Sequence, residues 1–319
     1  MPEIPTVRGS VDTDELGRVL MHEHVFVLSQ EIQKNYPEIW DEQQRVDDAI
    51  TKLRALRDAG IDTIVDPTVI GLGRDIARVQ RINEQVDINI VPATGVYTYN
   101  DVPMFLHFQG PGRLFDVPEP MVGMFVQDLT EGIADTGVRA AFLKCAIDTP
   151  GMTPDVERIM RAVAAAHRET GAPITVHTNV HNRSGLDALD LLRQERVDLT
   201  KVVMGHSGDS TDEDYLTRIA DAGCLLGMDR FGLDVLLDFE KRVDTVARLV
   251  ERGYAEHLVL AHDAACHNDW FPPEQLPAAA PNWHYQHITD DVLPALRDRG
   301  VTEEHIHTML VENPRRYFA

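Results

Sequence analysis

Hydrophobic positions along this chain follow two alternating rhythms. Eight short runs are almost continuously apolar: 18–26 (RVLMHEHVF), 63–68 (TIVDPT), 88–95 (INIVPATG), 140–148 (AAFLKCAID), 173–178 (PITVHT), 201–207 (KVVMGHS), 224–229 (CLLGMD) and 258–263 (LVLAHD). Runs of this length predict strands buried on both faces. Between them the period lengthens to that of a helix. Over 41–59, Val46, Ala49, Ile50, Leu53 and Leu56 share one face, and Gly60 is a stop signal. Residues 153–170 open with Thr153 as a cap and Pro154 at the first helical position. They carry the stripe Val156, Ile159, Met160, Val163 and end at Gly171. The segments SGLDALDLLRQERV and DEDYLTRIADAG continue the pattern.

Eight strands alternating with helices predict an α/β fold, a (β/α)8 barrel, as one domain over residues 1–319. No Pro/Gly/Ser-rich linker or composition break divides the chain. A doubly wound open sheet is the alternative, but no G-x-G-x-x-G follows the first strand. The N-terminal stretch MPEIPTVRGSVDTDELG has neither the basic nor the apolar region of a secretory signal. No apolar run approaches the roughly 18 residues of a membrane span. Cys145, Cys224 and Cys266 are odd in number and lack C-x-x-C spacing, so they are expected to be reduced and buried. These features predict a cytoplasmic protein.

Charge narrows the partners. A formal net charge of −22 argues against nucleic acid and against anionic membrane surfaces. The acids are spread along presumed helix faces rather than gathered in a tail.

The chemistry concentrates at strand ends. His22 and His24, spaced i, i+2, point the same way from the first strand, with Glu23 opposite. Lys144 interrupts the apolar fourth strand, where an ammonium is costly to bury unless paired or neutralised. Asp148 is one possible partner for it. His177 ends the fifth strand, His206 the sixth and Asp263 the eighth. In a barrel the active site lies at the carboxyl ends of the strands, so four histidines, a lysine and an aspartate gathered there predict a metal centre. His107, His167, His257, His284, His287, His305 and His307 fall in loops or helices and are read as ordinary. His181, His262 and His267 are read as near the site without ligating.

The order HxH, Lys, His, His, Asp resembles the amidohydrolase superfamily, specifically its phosphotriesterase family. LGRVLMHEHVF resembles that family's opening signature. IVDPTVIGLGRD, ATGVYTYNDVP, VHTNVHNRSG, GHSGD, GMDRFGLD and VENPRRYF look like its lactonase branch, the phosphotriesterase-like lactonases. The resemblance implies a carbamate on Lys144 and two divalent transition-metal ions, zinc foremost, with cobalt, manganese or iron fitting the same N/O ligands. It places His22, His24 and Asp263 on one ion and His177 and His206 on the other, with the carbamate and a hydroxide bridging both. It further implies hydrolysis of N-acyl-homoserine lactones by hydroxide attack on the lactone carbonyl, with Asp263 accepting the proton. Phosphotriester hydrolysis would be a secondary activity. The alternatives are a true organophosphate triester hydrolase or a lactonase for simple γ- and δ-lactones. Tyr97 and Arg230 match the branch's pocket-lining positions; as bare residues they equally suit rim packing and a structural ion pair. Phe231, after the seventh strand, and Trp270 and Phe271, after the eighth, are expected to contact the acyl tail. Apolar residues at a barrel mouth also suit a dimer interface, and the family suggests a homodimer.

Overall fold

The computed structural model describes residues 2–319. Twelve strands occur in chain order: β1 (Glu3–Thr6), β2 (Gly9–Asp12), β3 (Val19–Leu20), β4 (His24–Val27), β5 (Thr63–Asp66), β6 (Asn89–Gly95), β7 (Phe142–Ile147), β8 (Ile174–Thr178), β9 (Val202–Gly205), β10 (Leu225–Met228), β11 (Leu258–Leu260) and β12 (Ala265–Asn268). Eight of them form one parallel sheet in the order β11-β10-β9-β8-β7-β6-β5-β3. The ends meet: Met21 N–H donates to Leu260 O at 3.1 Å and Asp263 N–H to His22 O at 3.0 Å, which closes the sheet into the expected (β/α)8 barrel.

Each expected strand is present, with one change. The run 18–26 forms two short strands, β3 and β4. Around residues 21–23 the ladder thins to Met21 N–H donating to Leu260 O and Asp263 N–H to His22 O on one side, and Glu23 N–H to Val65 O on the other. Beyond that point β4 leaves the barrel ladder and pairs in parallel with β12 at the rim.

The apolar runs are continuous because both faces are buried. Inward positions such as Val65, Val91, Phe142, Val203, Leu225 and Val259 fill the barrel. Their outward neighbours, such as Ile64, Ile90, Leu143, Met204, Leu226 and Leu258, pack beneath the helices. Lys144 lies two residues beyond Phe142 and therefore shares its inward face. The helices follow the sequence signals. Glu42–Asp58 is capped by Asp41 accepting from Gln44 N–H, and it buries Val46, Ala49, Ile50, Leu53 and Leu56. Pro154–Thr170 is capped by Thr153 and ends at Gly171 in the left-handed conformation. Among the described residues, no helix is long and apolar enough to cross a membrane.

Candidate metal centre and active site

The six predicted ligands meet at the carboxyl end of the barrel. His22 and His24 leave the β3–β4 break on the same side, and Asp263 faces both, its Oδ1 at 3.4 Å from His22 Nε2 and 3.3 Å from His24 Nε2. His206 Nε2 lies 2.9 Å from His177 Nδ1. Lys144 Nζ is 3.5 Å from His22 Nε2. His206 (φ 63°) and Asp263 (φ 55°) adopt left-handed backbone just beyond β9 and β11. Non-glycine residues rarely adopt this conformation, and it turns both side chains over the barrel mouth.

Partners behind the rings fix which nitrogens face the site. His22 Nδ1 donates to Asp229 Oδ2 and His206 Nδ1 to Asp229 Oδ1, each at 3.0 Å. His24 Nδ1 donates to the Thr68 hydroxyl at 2.7 Å, and that hydroxyl donates on to Asp66. His177 Nε2 donates to Asp148 Oδ2 at 3.0 Å. With these outward protons assigned, His206 Nε2 and His177 Nδ1 present two lone pairs to each other at 2.9 Å. That contact is repulsive unless a cation lies between them. His22 likewise aims a lone pair at the Asp263 carboxylate. The donor set fits divalent metal ions.

Electrostatics agree. Burial lowers Lys144 to about 8 against the attraction of Asp263 and Asp229. Burial and Lys144 together lower His22 to about 4. Burial alone would depress His24, but Asp263 and Asp66 outweigh it and hold the ring at about 9. Against the pull of burial, the surrounding His22, His206 and His24 rings and the Arg230 guanidinium hold Asp263 well below the carboxylate range. Asp148 is bound to His177 and does not pair with Lys144, whose ammonium has no carboxylate partner within ion-pair distance among the described residues.

A cavity of about 280 Å3 opens above this floor. Tyr97 and Arg230 line it as expected. Tyr97 donates to Asp148 at 3.3 Å and meets the His177 ring edge-on. Arg230 Nε donates to Asp263 Oδ2 at 3.0 Å and its Nη1 to Asp209 Oδ2 at 3.1 Å, so it is a pocket residue and an ion-pair partner at once. Trp270 and Phe271 form one wall with Trp283. Phe231 does not line the cavity and requires correction. It is 1% exposed and belongs to the layer beneath the helices, tied down by its N–H donating to Ala261 O. Leu233, Val235 and Leu236 of the same loop line the cavity instead.

Sequence reasoning overlooked Asp229, the acid shared by two of the candidate ligand histidines. It ends CLLGMD at the same strand-end position as the ligands, and that was the available signal. Gly227 makes room for it, since a Cβ there would lie 2.4 Å from Asp229 Oδ2. His262, read as merely nearby, is fully buried and bonded to Glu23.

The Phosphotriesterase family pattern matches residues 2–318. The chain belongs to the phosphotriesterase family. Within this family it is 57% identical over 319 residues to the phosphotriesterase homology protein of Mycobacterium tuberculosis, covering 100% of this chain and 98% of that protein. It is 39% identical to an aryldialkylphosphatase of Saccharolobus solfataricus, with 99% of each chain covered. The solved structure of the phosphotriesterase from Mycobacterium tuberculosis superposes with a TM-score of 0.98, at 57% identity, covering 99% of this chain and 98% of that one. The phosphotriesterase-family hydrolases are metal-dependent, which the donor set at this barrel mouth suits.

Proposed function

We propose that this phosphotriesterase-family hydrolase opens lactone rings, with N-acyl-homoserine lactones as preferred substrates, and cleaves phosphotriesters more slowly. The observation that supports this reading most directly is the apolar lining above the floor, supplied by Leu233, Val235, Leu236, Trp270, Phe271 and Trp283. A flat ring carbonyl with a single acyl tail fits one channel. Three substituents around phosphorus would need three subsites.

His22, His24 and Asp263 would hold one divalent ion and His177 and His206 the other, with a carbamate of Lys144 shared between them. The buried amine, lowered to about 8, is suited to react with carbon dioxide. Ions held there supply Lewis acidity and lower the pKa of water. Tyr97 and Arg230 orient the substrate carbonyl and tail. Water adds to the ring carbonyl, Asp263 takes its proton, the ring C–O bond breaks, and that proton passes to the departing alkoxide. The product is a hydroxy acid.

The 39% identical relative is named an aryldialkylphosphatase, which favours organophosphate triester hydrolysis as the second reading. Hydrolysis rates measured in parallel on acyl-homoserine lactones, simple γ- and δ-lactones and aryl dialkyl phosphates decide between them. Faster turnover of triesters than of every lactone overturns the first reading.

We further propose a homodimer in the cytoplasm. After β6, Met104, Phe105, Phe108, Leu114 and Phe115 are exposed on one surface segment, and clustered exposed apolar side chains often mark a partner surface. The three cysteines are free and buried. Sedimentation of the full chain at a mass near twice 35.8 kDa is the expected result; a monomer at micromolar concentration rules the dimer out.

A further inference from the structure

The loop that follows β10 carries one wall of the cavity, yet its tip has little to hold it. Val235 is 77% exposed and Leu236 46%. The tip's own backbone bonds run from Leu236 N–H and Leu237 N–H to Leu233 O, at 3.0 and 3.5 Å. Two side contacts come from the loop after β12. Asn282 Nδ2 donates to Asp234 Oδ2 at 2.8 Å, and Gly232 (φ 93°) approaches so closely that a Cβ there would meet Asn282 O at 2.2 Å.

Beneath the tip lies Arg242, on the helix Phe239–Glu251. It is 1% exposed and among the largest fully buried side chains of the protein. Its Nη2 donates to Leu233 O at 3.2 Å and its Nε to Leu237 O at 3.0 Å. Those two carbonyls are the ends of the segment that projects Val235 and Leu236 over the cavity. Its Nη1 donates to Gly208 O at 2.8 Å, beyond β9, and lies 2.7 Å from Asp209 Oδ1. The other oxygen of Asp209 accepts from Arg230, which in turn donates to Asp263. One buried guanidinium thus fastens both feet of the wall and joins them through Asp209 and Arg230 to a carboxylate of the floor. The planar fork is what makes this possible: its five N–H donors spread over three nitrogens, whereas a lysine ammonium has three donors on a single nitrogen and cannot reach the same well-separated acceptors.

We propose that Arg242 is a positioning residue for substrate size: by fixing residues 233–237 it sets how large a group the channel accepts, without taking part in the reaction. This rests on the reading that the channel receives the substrate's substituent, whether an acyl tail or a phosphate ester group.

The test compares Arg242→Ala and Arg242→Lys with the parent, all loaded with metal. Each is assayed on a series of acyl-homoserine lactones from short to long and on aryl dialkyl phosphates of increasing alkyl length. Expected are unchanged metal content, shortest-substrate kcat/KM within about threefold of the parent, and a loss of tenfold or more on the longest substrates carried mainly by KM. Amide hydrogen exchange should speed up across 229–239 and not in β7 or β8. Should the alanine variant fail to fold, the lysine variant decides, since it keeps the charge and the aliphatic stem. A folded variant with the parent's size profile, or one that loses activity equally on every substrate, overturns the proposal. Failure of lactones as a class would overturn the lactonase reading instead, because the phosphate series still reports the size profile.

Discussion

Glu23 accepts two hydrogen bonds from His262, one from its backbone N–H and one from its Nδ1, each at 2.7 Å. Its second oxygen accepts from Ala264 N–H at 3.1 Å. The residue between His22 and His24 therefore grips the chain on both sides of Asp263, the residue that faces those histidines. His262 Nε2 accepts in turn from Ile288 N–H at 2.9 Å and its carbonyl from Trp283 Nε1 at 2.8 Å, so the same clamp steadies a wall of the cavity. Asp263 holds its left-handed backbone because its neighbours are held.

Replacing Glu23 with Gln should accordingly loosen Asp263. Partners that orient a ligand typically contribute 10–100-fold to metal affinity or activity, and a loss of that order is expected. Chelator competition measures the affinity directly; an unaltered value in a folded variant rejects the clamp.

Metal removal should abolish activity, and elemental analysis of active protein should find close to two transition-metal ions per chain. Lys144→Ala should lose most activity and recover part of it with short carboxylates in the buffer. Full activity with one ion per chain, or an unmodified Lys144 amine in fully metallated active enzyme, contradicts the two-ion scheme.

Tail length should matter up to the size of the channel. Each added methylene is expected to improve kcat/KM by about 0.8 kcal/mol or less until the channel is full. Trp270→Ala should move that optimum while sparing small-lactone turnover. A flat dependence on tail length would show that the channel does not receive the tail.

His267, on β12, gives a pH signature away from the ligands. Burial, with Arg45 adding to it, lowers its pKa from 6.5 to about 4. A histidine with a lowered folded-state pKa leaves stability intact above 6.5 and erodes it as pH falls toward 4, because only the unfolded chain takes up the proton. His267→Gln should therefore lose less stability than the parent between those pH values. Equal losses in urea melts at pH 7.5 and 4.5 would place the acid sensitivity elsewhere.

The sequence alone determined the strands, the barrel and the gathering of the candidate ligands at one end of it. Strand side chains alternate strictly, so an apolar run with no polar face means burial on both sides, and His22 and His24 two apart must share a face. Lys144 was conspicuous for the same reason: a charge on an inward position needs a chemical explanation. What the sequence left open concerns which residues meet across the barrel. Asp229 and His22 are 207 positions apart, and only closure of the sheet brings one carboxylate between the His22 and His206 rings. Phe231 follows Arg230 directly, yet the two part company: the arginine reaches the cavity while the phenylalanine turns under the helices. No periodicity governs an irregular loop, so its direction is decided by the bonds that hold it, Phe231 to Ala261 and both feet of its tip to Arg242. Local pattern chose the elements and their faces; long-range hydrogen bonds to buried charges chose the walls of the site.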